Sequence, residues 1–285
     1  MRLNIVSNDF STDRIYVHSG KTSTVINSFS SPAADPKGMA FVNMRDLVIA
    51  TTSGIIWHTS SFSSTILNSF TIPGTATTGL TFDGKDLIST DSGTKRVIKY
   101  SGVSQTVIDS FSSPSTNPTG LTWDGQNVII GESNRILQLS AFSNTVLNSF
   151  SSVSTNLKGL TFDGKNILSV DSGTARTYIH SAISGTITTS FSSVTSSPAG
   201  LAIEATISGH DCIELNNGDL LVVYNSGQGG ATYSAASKRL DVSANLWKDE
   251  VTIDANNTGY THPAVVQLAS NAAIPNRIIC AFRAQ

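Results

Sequence analysis

The sequence repeats with a period of about 41 residues, and this period constrains the fold more than any other feature. Residues 79–84 read Gly-Leu-Thr-Phe-Asp-Gly, and close copies begin at 120 and 159, with degenerate copies at 38 and 200. Both this segment and a Ser-Phe pair advance by 41, 41, 39 and 41 residues along the chain. The phenylalanines of that pair are Phe29, Phe70, Phe111, Phe150 and Phe191. Two landmarks in one register predict a chain built from copies of one structural unit.

Each unit has the pattern of four short strands. In the copy from 79 to 111, turn signals of Gly, Asp, Asn and Ser bound strands at 79–82, 87–90, 97–100 and 106–111. The Asp-Gly pair after the first strand predicts a type I′ hairpin turn, which needs positive φ at both central residues. Because side chains alternate along a strand, each copy offers one large aromatic residue for packing between sheets. These aromatics are Phe41, Phe82, Trp123 and Phe162, with Ile203 in the last copy.

A four-stranded unit of roughly 40 residues that cannot bury its faces alone is typical of a β-propeller blade. We therefore predict an all-β propeller of four-stranded blades. Residues 3–30 supply three strands of a first blade, four complete units follow, and a lone strand at 200–204 completes the first blade. This arrangement favours a five-bladed ring, because closing the first blade removes a free sheet edge. A ring of six or seven blades is the alternative if the C-terminal segment joins it.

Over residues 1–204 the repeats resemble NHL-type and gluconolactonase-like propeller blades. Those blades have a similar order of Gly-Leu-x-Phe/Trp-Asp-Gly, strand, Asp-Ser-Gly and strand. The resemblance implies the propeller fold, whereas activity does not follow, because such blades serve binding modules and enzymes alike. Gluconolactonase-like enzymes chelate a divalent ion with Glu, Asn and Asp residues of different blades, and this sequence has no such set at unique positions.

Residues 205–285 leave the 41-residue register and form a second predicted domain. They contain a hairpin at 211–224 around an Asn-Gly turn, and strands at 264–268 and 277–282 that repeat it with a longer loop. The segment resembles sialidase-like blades, with a degenerate Asp-box at Ser237, Asp241, Ser243 and Trp247. It amounts to one and a half blades, which either complete the ring or form an appendage that a partner chain completes. The remainder of a sialidase ring is absent from the sequence.

The candidate site lies where the second strand of each unit ends. Because the loops after the second and fourth strands share one face of a propeller, we expect polar side chains there to surround the mouth of the central channel. Such groups could hold a divalent cation or sugar hydroxyls. The competing interpretation is that each Asp caps its own turn through its carboxylate. The candidate residues are Asp91, Glu132 and Asp171, with Thr51 and Asn8 in the remaining units.

Charge and composition exclude several partner classes. The chain has 18 basic and 20 acidic residues and no basic run, which argues against nucleic-acid binding. No apolar run reaches the length of a membrane span, and residues 1–5 lack the apolar core of a signal peptide. We therefore expect cytoplasmic synthesis and no membrane insertion. Cys212 and Cys280 alone cannot staple a fold of this size, so its stability must come from buried apolar area.

Near-identical blades supply like groups at equal spacing, whereas catalysis needs unlike groups that converge. The sequence therefore predicts a non-catalytic binding or assembly module without a cofactor, contacting protein or glycan. Its serine- and threonine-rich strands are similar to those of virion or cell-surface appendage proteins, and C-terminal strands offer a route to homo-oligomers. Two alternatives remain. One is a lactonase- or lyase-type enzyme with a divalent metal at the mouth, and the other is a lectin with one shallow site per blade.

Overall fold

The computed structural model describes two compact units, Leu3–Ala205 and Thr206–Gln285, the second of which also includes the first two residues. The residues described are 2–42, 46–60, 62–74, 76–206, 210–214, 220–225, 233–241, 246–247, 251–257, 260–267 and 278–284, with side chains between 4 and 203. All regular elements within these ranges are strands. No helix among the described residues has the length and apolar character that a bilayer crossing requires.

The first unit is a five-bladed β-propeller, as predicted, and each blade is a four-stranded antiparallel sheet. The strands of its first three blades are β1 (Arg2–Asp9), β2 (Arg14–His18), β3 (Val25–Ser30), β4 (Pro36–Val42), β5 (Asp46–Thr51), β6 (Ile55–Thr59), β7 (Ile66–Thr71), β8 (Thr77–Phe82), β9 (Leu87–Asp91), β10 (Arg96–Tyr100) and β11 (Val107–Ser112). The strands that follow are β12 (Gly120–Trp123), β13 (Val128–Gly131), β14 (Arg135–Leu139), β15 (Val146–Ser151), β16 (Leu157–Phe162), β17 (Ile167–Asp171), β18 (Arg176–His180), β19 (Ile187–Ser192) and β20 (Pro198–Thr206).

The first blade is closed by the last strand of the ring. Its strand order is β20-β1-β2-β3, whereas each other blade uses four consecutive strands. Two hydrogen bonds of Asn8 support this closure: its Oδ1 accepts from the Gly200 backbone N–H at 2.6 Å, and its Nδ2 donates to the Lys37 carbonyl at 2.9 Å. The prediction that a lone strand near residue 200 completes the first blade is therefore confirmed.

Five hydrophobic clusters hold the ring together, and each lies between two adjacent blades. One cluster, for example, combines Ile56 of the second blade with Leu87 and Tyr100 of the third, all fully buried. The cluster between the last and first blades joins Val170 to Ile5. Because each sheet buries one face on each neighbour, removing any blade would expose apolar area on two others.

The innermost strands approach one another at a ring of glycines. A Cβ placed on Gly159 would lie 2.9 Å from the Cα of Gly200, and one placed on Gly79 would lie 2.7 Å from the Cβ of Leu121. A Cβ on Gly200 would overlap the carbonyl oxygen of Lys37. These approaches are too close for any side chain. The repeated Gly at 38, 79, 120, 159 and 200 therefore fixes how narrow the centre of the ring is.

The Asp-Gly turns differ from the type I′ turns that the sequence predicts. Phe82 pairs with Leu87, which leaves a four-residue loop, and only Gly84 in it has a positive φ, of 99°. Oδ1 of Asp83 accepts hydrogen bonds from the backbone N–H groups of residues 85 and 86 at 2.9 and 2.7 Å. The carboxylate thus accepts hydrogen bonds from the N–H groups of the loop, and Asp83 keeps a negative φ. A two-residue type I′ turn would require a positive φ at Asp83. Asp124 and Asp163 make the same contacts.

The described elements of the second unit are also strands. Its strands are β21 (His210–Glu214), β22 (Leu220–Asn225), β23 (Tyr233–Asp241), β24 (Leu246–Trp247), β25 (Val251–Asn257), β26 (Tyr260–Gln267) and β27 (Ile278–Ala284). β21 and β22 form the predicted hairpin, and β26 pairs with β27 as a separate two-stranded sheet. The Asn-Gly turn of the hairpin, Ser243 of the Asp-box and the first residue of the strand predicted at 277–282 lie outside the described residues.

The inner glycine ring gives a direct test of the fold. We expect Gly200→Ala to lower the free energy of unfolding by about 1–3 kcal/mol, because the new methyl group must displace the Lys37 carbonyl. Gly185→Ala is the matched control, since its Cβ would have no neighbour nearer than 3.6 Å. Urea denaturation measures both variants. Equal stability of the two variants would contradict a close-packed inner ring.

Candidate functional site

The predicted site residues do lie on one face of the propeller, at or next to the ends of the second strands. Asp91 and Asp171 are the last residues of β9 and β17, Thr51 is the last residue of β5, and Glu132 follows β13 directly. The corresponding residue of the first blade is Asp9, which pairs with Arg14 just as Asp91 pairs with Arg96. Asn8 lies one position earlier and takes part in ring closure instead.

The aspartates at these positions cap their own turns. Oδ1 of Asp91 accepts from the backbone N–H and the hydroxyl of Thr94 at 2.6 and 2.8 Å, and Oδ2 accepts from the Ala76 N–H at 2.7 Å. Asp171 makes the same contacts with Thr174 and also accepts from the hydroxyl of Ser154 and the N–H of Asn156. Asp91 and Asp171 are each at most 2% exposed. Their oxygens therefore face protein donors.

The other members of the set are also engaged. Glu132 binds the guanidinium of Arg135 at 3.0 Å, and the Thr51 hydroxyl donates to the Ile55 carbonyl at 3.1 Å. Hydrogen bonds from Thr195, Ser11 and Thr12 hold the pKa of Asp9 below its usual value, although burial opposes ionisation. Among the side chains that the structure describes, no three of the His, Cys, Asp or Glu type are grouped as a metal site requires.

A pocket of about 450 Å³ opens on this same face at the mouth of the channel. We refer to it as the mouth pocket. All five blades contribute to it, through the first residues of the inner strands and the neighbouring loops. Its lining is rich in hydroxyl and amide groups and contains one aromatic ring. The lining residues are Phe10, Lys37, Thr78, Thr119, Asn156, Lys158, Ser172, Ser196, Ser197, Pro198 and Ala199.

Two lysines give the mouth pocket a positive charge. The Lys37 ammonium lies 3.7 Å from the centroid of the Phe10 ring, a cation–π contact. Burial lowers the pKa of Lys37; the nearby Asp35 carboxylate offsets part of this effect, and the charge of Lys158 adds to it. Sequence reasoning missed both lysines, although the alignment of the repeats contains a signal. The residue before each inner glycine is Lys, Thr, Thr, Lys and Ala around the ring.

Two buried serine–histidine pairs join the second and third strands of their blades, and the serine partners were missed from the sequence. Ser7 Oγ lies 2.8 Å from His18 Nε2, and Ser169 Oγ lies 2.9 Å from His180 Nε2. All four residues are at most 8% exposed, and burial lowers the pKa of both histidines. In the third blade Tyr100 occupies the same position and its hydroxyl lies 3.0 Å from Ser89 Oγ. The pairs are therefore polar bridges between neighbouring strands in the core, out of reach of a substrate.

The four blade aromatics lie at the opposite end of the channel. They line a small cavity of about 120 Å³ together with the other residues at the ends of the inner strands. Each also packs against one of the hydrophobic clusters between blades, and Phe41 contacts Phe62 edge to face at a centroid distance of 5.8 Å. The aromatics that share this arrangement are Phe41, Phe82, Trp123 and Phe162. This end of the channel is narrow, and threonines line it together with the aromatic and aliphatic residues.

Comparisons with known proteins bear on the fold. The glutaminyl cyclase of Myxococcus xanthus matches with a TM-score of 0.52 and 13% identity, over 67% of this chain and 86% of that one. A chain of the nidogen/laminin complex matches with a TM-score of 0.51 and 15% identity, over 71% and 98%. No family model and no curated protein matches the sequence. These two structures, one of an enzyme and one of a complex, support a β-propeller module and no particular activity.

The role of the capped turns can be tested at Asp171. We expect Asp171→Asn to lower the free energy of unfolding by about 1–3 kcal/mol, because an amide nitrogen would face the Ser154 hydroxyl or the Asn156 N–H. The control is Glu132→Gln, whose partner Arg135 is half exposed, and a change within about 0.5 kcal/mol is expected. Chemical denaturation at neutral pH compares the two. A larger loss in Glu132→Gln would refute the assignment.

Proposed function

We propose that this protein is a non-catalytic β-propeller binding module whose ligand occupies the mouth pocket. The observation that carries the proposal is that unlike residues from all five blades converge at this pocket, on a face where the repeated acidic residues are engaged in turns. A cavity of about 450 Å³ lies within the range of roughly 300–1,000 Å³ of small-molecule sites. Convergence of unlike groups supports ligand recognition.

The lining suits a sugar or a short polar segment of a protein. Asn156, Ser196 and Ser197 supply amide and hydroxyl groups that donate and accept hydrogen bonds. Phe10, 43% exposed, supplies an apolar ring against which the C–H face of a sugar can pack. The described lining residues include no carboxylate, imidazole or thiol that could act as a general base or nucleophile. Binding is therefore the function that this chemistry supports.

We also propose an ancestry for the two units. The order of recurring motifs in each repeat supports kinship of the first unit with NHL-type blades, and the hairpins and degenerate Asp-box of the second unit support kinship with sialidase-like blades. A role in a virion or a cell-surface appendage is part of the same proposal. It is supported by the Ser- and Thr-rich strands and by the joining of two unlike β units in one chain. In such a setting weak binding by one pocket would be strengthened by many copies.

A panel of immobilised glycans, neutral and acidic, tests the binding proposal. We expect the full chain to be retained by at least one glycan class. Ser196→Trp should abolish retention, because this exposed residue lines the pocket and an indole there would fill it. Gln105→Trp is the control, since it lies in the β10–β11 loop at the opposite end of its blade. Retention that persists in Ser196→Trp would refute the mouth pocket as the binding site, and the absence of retention at high protein density would refute a glycan as its ligand.

Self-assembly through the C-terminal strands is a second candidate. It is supported by the β26–β27 sheet, in which each strand has one neighbour among the described strands and so presents a free edge. We expect light scattering behind a sizing column to show a multimer, and removal of residues 262–285 to give a monomer near 30 kDa or less. An unchanged mass per particle, apart from the deleted residues, would exclude this route.

A further inference from the structure

The residue before the inner glycine differs in charge from blade to blade. The inner strands place this residue at the rim of the channel, and its side chain lines the mouth pocket in every blade. Two blades have lysine, two have threonine and one has alanine at this position. The residues are Lys37, Thr78, Thr119, Lys158 and Ala199. Threonine is therefore a neutral residue that the repeat already accommodates at the position of each lysine.

The two lysines bring positive charge into the pocket, and its described lining residues include no matching acid. Neither lysine makes an ion pair among the residues that the structure describes. Lys37 rests on the Phe10 ring, and Asp35 is the acid whose charge acts on it. The two ammonium groups repel each other and are partly removed from water. An anion between them would relieve that repulsion.

We propose that the mouth pocket binds an acidic sugar, with the sugar carboxylate held between Lys37 and Lys158. This assignment deepens the proposed function and rests on it. The ammonium groups donate to the carboxylate, while the hydroxyls of Ser196 and Ser197 donate to and accept from the ring hydroxyls. The hydroxyls of Thr78 and Thr119 donate to the carbonyls of Pro118 and Gly131 and are left as acceptors. Phe10 packs against the apolar face of the sugar. The hydroxyl-rich lining and its single aromatic ring distinguish this ligand from a nucleotide, whose base needs a stacking platform of its own.

Two forms of one sugar, with and without the carboxylate charge, test the assignment: digalacturonate and its methyl ester. We expect calorimetry with the full chain at low salt to show the free acid binding at least about tenfold more tightly than the ester. Raising the salt concentration should weaken binding of the acid and leave that of the ester unchanged. This comparison needs no variant and so does not depend on how a substitution affects folding.

Variants then assign the preference to the two lysines. Lys37→Thr and Lys158→Thr install the residue that two other blades already use, and each should weaken binding of the acid by about threefold with little effect on the ester. The double variant should bind acid and ester equally. Lys165→Thr, exposed in the β16–β17 loop at the opposite end of the blade, is the matched control and should behave as the parent protein.

Several results would overturn the inference, and they separate it from the proposed function. Equal binding of acid and ester by the parent protein would remove the role of charge, while any glycan retained on the panel would leave the binding module in place. Displacement by acetate or sulfate at concentrations similar to that of the sugar acid would show a general anion site. Failure of both the digalacturonate pair and the whole panel would refute a glycan as the ligand of the mouth pocket together with this inference.

Discussion

The close approach of the inner strands is the constraint on which the rest of the first unit depends. Five glycines bring these strands together so tightly that a methyl group on Gly200 would overlap the Lys37 carbonyl. This contact fixes the radius of the ring, and with it the number of blades that fit around the axis. It also brings the residue preceding each glycine to the channel rim, so that one backbone requirement sets both the architecture and the position of the mouth pocket.

Residues that recur in most blades and residues that differ between blades have different roles in this molecule. The parts that recur in most blades serve the fold: aspartates such as Asp91 and Asp171 satisfy loop donors, and the aromatics close the spaces between sheets. A binding site made of unlike side chains can arise only at positions where the repeats differ in sequence. The lysines at 37 and 158 and the aromatic ring at Phe10 are such places, and they meet in one pocket.

The repeat was enough to predict the fold, because period, alternation and turn residues act locally and agree with one another. Strand limits in the third blade match the expected ones within two residues, and the closing strand is where it was expected. The pattern was less informative about the site. The sequence predicted Asn8 where the structure has Asp9, because no inner strand precedes the first blade in the sequence and the alignment there lacks its usual landmark. The spacing from Asp9 to Arg14 does repeat that from Asp91 to Arg96. Which rim residues share a pocket depends on contacts between different blades, and the strand and turn pattern within one repeat does not describe those contacts.

The strand that closes the ring also determines the order in which the blades can fold. β20 must reach β1 across a span whose contacts include a hydrogen bond between residues 192 positions apart, whereas the other blades pair strands close in sequence. Blades two to five can therefore form and stack as the chain emerges from the ribosome, but the first blade stays one strand short until residues 198–206 are available. Up to that moment the inner edge of β1 is open to any extended segment, including one from another copy of the chain. The same join that completes a monomer is thus the place where two unfinished molecules could exchange strands.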